Sequence, residues 1–333
     1  MKKLLAILMS CCMIFTLAAC GQNNNASSTA DPAEGFPSKN ITFIVPAKAG
    51  GGQDVAARII AQQLEKKLNI QVPVENVPEG SGLTGLLQVA NGASDGYTII
   101  TCTCVGYLGT CQQQEDLKFN PLTDMIGLVS QGTVPMIIAA GPSSPVKTVD
   151  DLISYGQAHP GEMSIAVSGV VNIASMAAKS ALNALGVDMK LVPLDGASEA
   201  VATCLGGHTE FCIAPASTLS SHVEEGTLIP LFDTGDLESN ALNVPNIGDL
   251  GHPEAAVPYY RVIACRAGTP ASVVDKLRTI LAEVLNDPDC QKAFEDAKDP
   301  LFGVITDKEE LDKLLASNYE AYGKLIKELT AGQ

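Results

Sequence analysis

Ile41-Thr42-Phe43-Ile44-Val45-Pro46-Ala47-Lys48-Ala49-Gly50-Gly51-Gly52-Gln53-Asp54 decides how this chain is read. Its first five residues are β-branched or aromatic, the composition of a strand. Glycines follow, and then Val55, Ile59, Leu64 and Leu68 recur at a spacing that predicts one face of a helix. A strand that runs into glycines and restarts as a helix leaves backbone N–H groups open at a helix N-terminus, where negative charge is favoured. The segment is therefore expected to face an anion. Asp54 reads as a capping residue, with a ligand-facing role as the alternative.

Outward from this stretch the same unit recurs. Strands are expected at 72–74, 97–101, 136–140, 163–167, 190–193, 210–213 and 261–265. Helices are expected at 83–90, from Thr148, at 173–185, from Ala197, from Thr269-Pro270 and from Thr306 with Glu309 completing a capping box. Alternation of this kind predicts an α/β fold with mainly parallel pairing. A second strand-to-helix opening follows Val167, where Ser168, Gly169 and Asn172 supply small polar groups. Two such mouths, one per domain, would face each other across a cleft.

The N-terminus places the protein outside the cytoplasm. Lys2 and Lys3 precede an apolar run, and Leu17-Ala18-Ala19-Cys20-Gly21 resembles a lipobox. Residues 1–19 then form a lipoprotein signal peptide, and acyl chains on Cys20 hold the protein to a membrane, with an uncleaved membrane anchor as the alternative. Residues 20–35 are rich in Asn, Ser and Ala without periodicity and read as a flexible tether, so the folded part begins near Phe36. No later stretch is long and apolar enough to span a membrane. A net charge of −16 excludes nucleic acid as a natural partner, since phosphate neutralisation needs clustered Lys and Arg. Beyond Cys20 lie Cys102, Cys104, Cys111, Cys204, Cys212, Cys265 and Cys290, an odd set without metal-ligand spacing. Most read as free and buried; Cys102 with Cys111, or Cys204 with Cys212, are the local candidates for pairing.

Enzyme motifs fail at their second requirement. Gly80-Ser81-Gly82-Leu83-Thr84-Gly85 is a literal GxGxxG, but the next strand ends in Thr101-Cys102-Thr103-Cys104 with no carboxylate for a ribose. Ser168 lacks the first glycine of a nucleophile elbow. His159, His208, His222 and His252 all fall in surface or loop contexts. Neither a metal nor a cofactor is expected, and the chain reads as non-catalytic.

With those segments placed, the chain from Phe36 onward resembles the substrate-binding proteins of tripartite tricarboxylate transporters, often called Bug receptors. Phe36-Pro37-Ser38-Lys39, Ile44-Val45-Pro46 and Gly50 to Asp54 match the family's opening. Val74-Glu75-Asn76, Gly80 to Gly85, Asp95-Gly96-Tyr97-Thr98, Pro160-Gly161, Leu205-Gly206-Gly207, Val244-Pro245-Asn246-Ile247 and Ala267-Gly268-Thr269-Pro270 follow in order. The resemblance implies a type II periplasmic-binding-protein fold, two α/β domains closing on a carboxylate and presenting it to integral membrane transporter subunits. It implies a monomer with domain 1 at 36–133 plus 262–333 and domain 2 at 134–261. A receptor of another uptake or sensing system with a non-carboxylate ligand is the alternative.

Carried over by position, domain 1 would bring Ala47, Lys48, Gly51, Gly52, Thr101, Thr103 and Cys104 to the ligand. Domain 2 would bring Ser168, Gly169, Val170, Asn172 and Asp195. The chain departs from the family pattern at Ser175, where histidine is common, at Leu194-Asp195 for Tyr-Lys, and at Ala214-Pro215 for Asp-Asn. Cys102 and Cys104 stand where glycine and asparagine are usual. Tyr259-Tyr260-Arg261 replaces a Trp-containing crossing, and Arg261 is expected either to grip a ligand carboxylate or to form an interdomain salt bridge.

Overall fold

The computed structural model describes residues 31–114, 116–235, 241–297 and 299–331. Cys20, the signal segment 1–19 and most of the expected tether lie outside the described residues. Ten strands are found among them: β1 Thr42–Val45, β2 Val74–Asn76, β3 Thr98–Thr103, β4 Met125–Thr133, β5 Met136–Ala140, β6 Met163–Ser168, β7 Met189–Leu194, β8 Phe211–Pro215, β9 Ile229–Asp233 and β10 Tyr260–Arg266. They build two five-stranded sheets, in the orders β2-β1-β3-β10-β4 and β7-β6-β8-β5-β9. Helices cover the faces, giving two α/β layers joined by two crossings of the chain.

Pairing is mixed rather than mainly parallel. β1 runs parallel to β2 and β3, and β6 to β7 and β8. β10 lies antiparallel between β3 and β4, and β5 antiparallel between β8 and β9. The crossings impose this. The chain leaves the first sheet through β4, passes Val134-Pro135 directly into β5, and later re-enters the first sheet in the opposite sense as β10. Beside each other at the hinge, the Val134 N–H donates to the Tyr259 carbonyl at 2.6 Å and the Val257 N–H to the Thr234 carbonyl at 3.0 Å. β4 and β9 escaped the sequence reading because Gly127, Gly132 and Pro230 interrupt their strand-like runs.

The helix Gly52–Leu68 corrects a second expectation. It buries Ala56, Ala57, Ile60, Ala61 and Leu64, while Val55 is 38% exposed. Small residues carry the inner face because the helix packs against two others, Ala271–Leu285 and Pro288–Asp296. Thr148 starts its helix as expected, and it does so as the N-cap of a full capping box with Asp151. The last helix, Lys308–Thr330, is capped by Asp307 and not Thr306. Thr269 does not cap either; its hydroxyl donates to the Arg266 carbonyl, leaving Pro270 at the N-cap. Phe36 is buried, and the residues just before it form a turn held to the body by Lys276 Nζ donating to the Ala33 carbonyl at 3.1 Å. The ordered chain thus extends into what the sequence suggested as tether.

Candidate functional site

The loop after β6 presents an anion-binding mouth. Asn172 is the N-cap of the helix Ile173–Ala184, and its Oδ1 accepts from the N–H groups of Ala174 and Ser175. Ser175 returns the bond, its Oγ accepting from the Asn172 N–H at 2.9 Å. Gly169 has φ +99°, a conformation that favours glycine, and turns the chain away from the strand. The amides of Val170, Val171 and Ile173 donate to no other group of the described residues. Ser168 Oγ accepts from Asn172 Nδ2 at 3.2 Å, so its own proton is free to donate into the opening. A helix N-terminus adds roughly half a positive charge to these donors.

Facing this mouth, the first domain contributes a different set of residues from the ones the sequence emphasised. A cavity of about 680 Å³ between the two domains is lined by Gly80, Ser81, Thr103, Thr110, Gln113 and Gln114 on one side and by 168–173 on the other. Tyr259, from the returning crossing, also lines it. None of the described lining side chains carries a charge. Recognition of charge here rests on dipoles and hydroxyl or amide donors. The Gly80–Gly82 segment is pinned in place: Gly82, at φ +88°, leaves room where a Cβ would stand 2.7 Å from the Pro46 carbonyl oxygen. Its glycines thus serve backbone geometry rather than a pyrophosphate.

Of the expected site residues, Thr103, Ser168, Gly169, Val170 and Asn172 line this cavity. Ala47, Lys48, Gly51 and Gly52 do not line it, and Asp54 explains how their loop is held. Asp54 is the third helical residue and not its cap, and it reaches back to accept from the Gly50 N–H at 2.9 Å. Asn76 Nδ2 donates to the same carboxylate at 2.9 Å and Arg58 pairs with it at 2.9 Å. Burial opposes its charge, but these donors outweigh burial and hold its carboxyl below the usual value. The Asp54 charge is therefore structural, and it already occupies one glycine N–H.

Behind the cavity lies a buried polar cluster. Thr101 is fully buried, its Oγ1 accepting from Gln131 Nε2 at 2.6 Å and its carbonyl from Gln53 Nε2 at 2.7 Å. Arg261, 5% exposed, pairs with Asp299 at 2.7 Å, and its positive charge offsets part of the upward push that burial gives the Tyr259 phenol. Both members of the pair belong to the first-sheet body, since residues 302 and 305 bridge to β4; the ion pair does not span the domains. Gly52 lies over it, an added Cβ there standing 4.0 Å from Arg261 Nη2. Cys104 is buried and donates to the Pro258 carbonyl, and burial pushes its thiol up to about 11. Asp195 is exposed, outside the cavity.

The match to known proteins covers nearly the same extent as the two domains. Residues 56–331 match the family model for the tripartite tricarboxylate transporter family receptor. The chain belongs to that family. Protein BugT of Bordetella pertussis is 26% identical over 302 residues, covering 90% of this chain and 92% of BugT. The crystal structure of a TctC solute binding protein from Polaromonas superposes with a TM-score of 0.76 at 24% identity, covering 88% of this chain and 99% of that one. R. palustris Rpa4515, solved with adipate, gives a TM-score of 0.72 at 23% identity, covering 89% and 98%. This receptor has the type II periplasmic-binding-protein fold, acts as a solute-binding protein rather than an enzyme, and works outside the cytoplasm.

In this receptor the histidines stay away from the cleft: His159 stacks on Tyr155 and pairs with Glu162, and none of the four lines the cavity. No group of three or more His, Cys, Asp or Glu among the described residues is placed to hold a metal, and no described helix is long and apolar enough to cross a membrane. The seven described cysteines are free and buried. Sequence reasoning missed Ser81, Thr110, Gln113, Gln114 and Tyr259. Only Ser81 carried a local signal, sitting between two glycines, where the structure gives it φ +57°.

Proposed function

We propose that this receptor captures a small organic carboxylate by closing its two domains, expected at 36–133 plus 262–333 and 134–261 and divided instead at Tyr260, where β10 of the first sheet begins, and presents it to integral membrane transporter subunits. One observation carries the reading: the cavity between the domains is lined by the unpaired amides of Val170, Val171 and Ile173 at a helix N-terminus, with the Ser168 hydroxyl beside them. One carboxylate placed there accepts several N–H bonds from the second domain and reaches Thr103 on the first. A ligand that touches both domains stabilises only the closed form, which is how binding becomes visible to a partner. Adipate in Rpa4515, a protein of the same fold, supports a carboxylate as ligand.

The lipobox-like Leu17 to Cys20 supports a lipid anchor on Cys20, which would hold the receptor, taken as a monomer, beside its transporter. A thermal-shift screen against mono-, di- and tricarboxylates, with neutral amides and sugars alongside, tests the ligand class, because a tight ligand stabilises by mass action. A shift with carboxylates alone is expected. No shift across the acids, or a shift only with neutral compounds, overturns it. Cys20→Ser should release the protein from the membrane fraction; retention there would refute the anchor.

A further inference from the structure

Away from the cleft, the second domain buries two thiols in one pocket of small side chains. Cys204 closes the helix Ala197–Leu205 and Cys212 lies in β8, both fully buried with Ala139, Ala166, Ala200 and Ala214. In the ladder Cys212 pairs with Ala139, and the Gly141 N–H donates to the Glu210 carbonyl at 2.9 Å. Residues two apart on a strand share a face, so Gly141 and Cys212 look toward the same helix. A Cβ on Gly141 would stand 2.5 Å from Cys204 Sγ. The Cys204 sulfur therefore fills the place of the missing side chain, diagonally next to Cys212.

The neighbouring Cys212 thiol holds Cys204 below its ordinary acidity range against the effect of burial, while Cys204 and burial together push Cys212 well up. Other buried thiols have backbone partners instead, Cys104 with the Pro258 carbonyl and Cys111 with the Leu108 carbonyl.

We propose that Cys204 and Cys212, free thiols side by side in this structure, become joined by a disulfide in the exported protein. The compartment outside the cytoplasm lets disulfides persist, and the oxidant required is another disulfide, of a small thiol or of an oxidoreductase. The Cys204 thiolate attacks one sulfur of that oxidant and releases its partner as a thiol. Cys212 then displaces the second oxidant sulfur. Two S–H bonds break and one S–S bond forms, and the two electrons and two protons end on the two released thiols. Because both sulfurs are inaccessible once the helix packs, exchange takes place while the chain folds. The bond closes residues 204–212 and ties the helix that starts beside Asp195 to the central strand of its sheet.

The test is a mass measurement on the full chain purified without reductant from exporting cells. Trypsin cuts after Lys190 and Arg261 and at no Lys or Arg between them, so one peptide carries Cys204 and Cys212 and no other cysteine. Denaturation in alkylating reagent should leave that peptide unalkylated and lighter by two hydrogens. A second cut after Phe211 should give fragments that separate only after reduction. Reductant should lower the melting temperature of the natural chain and leave that of Cys204→Ala/Cys212→Ala unmoved. Alkylation of both thiols without prior reduction overturns the proposal, also after refolding with oxidised glutathione. So does a small thiol on either cysteine, or a link from either to a third.

Discussion

Replacing Arg261 by methionine tests whether the cluster behind the cavity holds the site in shape. The guanidinium is 7% exposed and its partner Asp299 17% exposed, so the change leaves a carboxylate with little water and no counter-charge. Removing one member of a buried ion pair costs about 3–5 kcal/mol. Asp299 recovers part of its hydration through that residual exposure, which puts Arg261→Met near the lower end, about 3 kcal/mol. At roughly 2 °C per kcal/mol for a chain of this size, the melting temperature should fall by about 6 °C. Asp299→Asn should cost less, about 2 kcal/mol, because the amide still accepts a bond from the guanidinium.

The double variant should cost at least about 1 kcal/mol less than the sum of the two, because each single change leaves the other partner stranded. Urea unfolding of the four proteins reads the cycle. Unchanged stability for Arg261→Met, or strict additivity, would refute the ion pair as a structural element. Titration of the same proteins with the ligand found by thermal shift separates the two roles expected for Arg261. Direct pairing with a ligand carboxylate predicts a loss of about a hundredfold or more, equivalent to about 2.7 kcal/mol. Support through Tyr259 and the Gly52 loop predicts less than about tenfold.

Gly82→Ala should lose about 3 kcal/mol in urea unfolding, from left-handed strain and a forced shift against the Pro46 carbonyl, whereas Gly80→Ala, with its nearest neighbour at 3.5 Å, should lose only about 1 kcal/mol. Asn172→Ala should cost about 1 kcal/mol as a lost cap and weaken ligand binding as well, because Ser168 loses its orienting partner; calorimetric titration would show both, and unaltered affinity would speak against this mouth. Asp54 is held below its ordinary value of 3.8, so its contribution is fully present above that pH and is lost as pH falls through the lower folded value. Stability measured from pH 6 down to pH 2 should therefore drop on the acid side more steeply in the natural chain than in Asp54→Asn. Equal slopes would argue that the carboxylate does not brace the loop.

What the sequence revealed depended on how local the determinant was. Ser168 to Asn172 could be read directly, because a strand that ends in glycine before an Asn cap defines its own geometry within a few residues. Gly50 to Gly52 looked like the stronger anion site for the same reason. Its character is changed from a distance: Asn76 and Arg58 converge on Asp54, which then takes the Gly50 N–H. Gln113 and Gln114 fall in a stretch without periodicity, and only the packing of the short helix Cys104–Leu108 and the turn after it brings them to the cleft. Tyr259 owes its position to the second crossing, a long-range event. Val55 misled because alanines, not the larger aliphatic residue, make the inner face of a helix squeezed between two others.

The position of β10 also bears on the order in which the molecule is assembled. The second sheet is drawn from one unbroken stretch, β5 to β9, and can form as soon as that stretch is available. The first sheet cannot be completed so early: its fourth strand in spatial order comes after everything in the second and must slot between β3 and β4. Closing so long a loop is slow and is rewarded only at the end. If the chain is exported unfolded, as a signal segment at 1–19 would have it, that delay is an advantage, because half of its structure waits for a strand that emerges near the end.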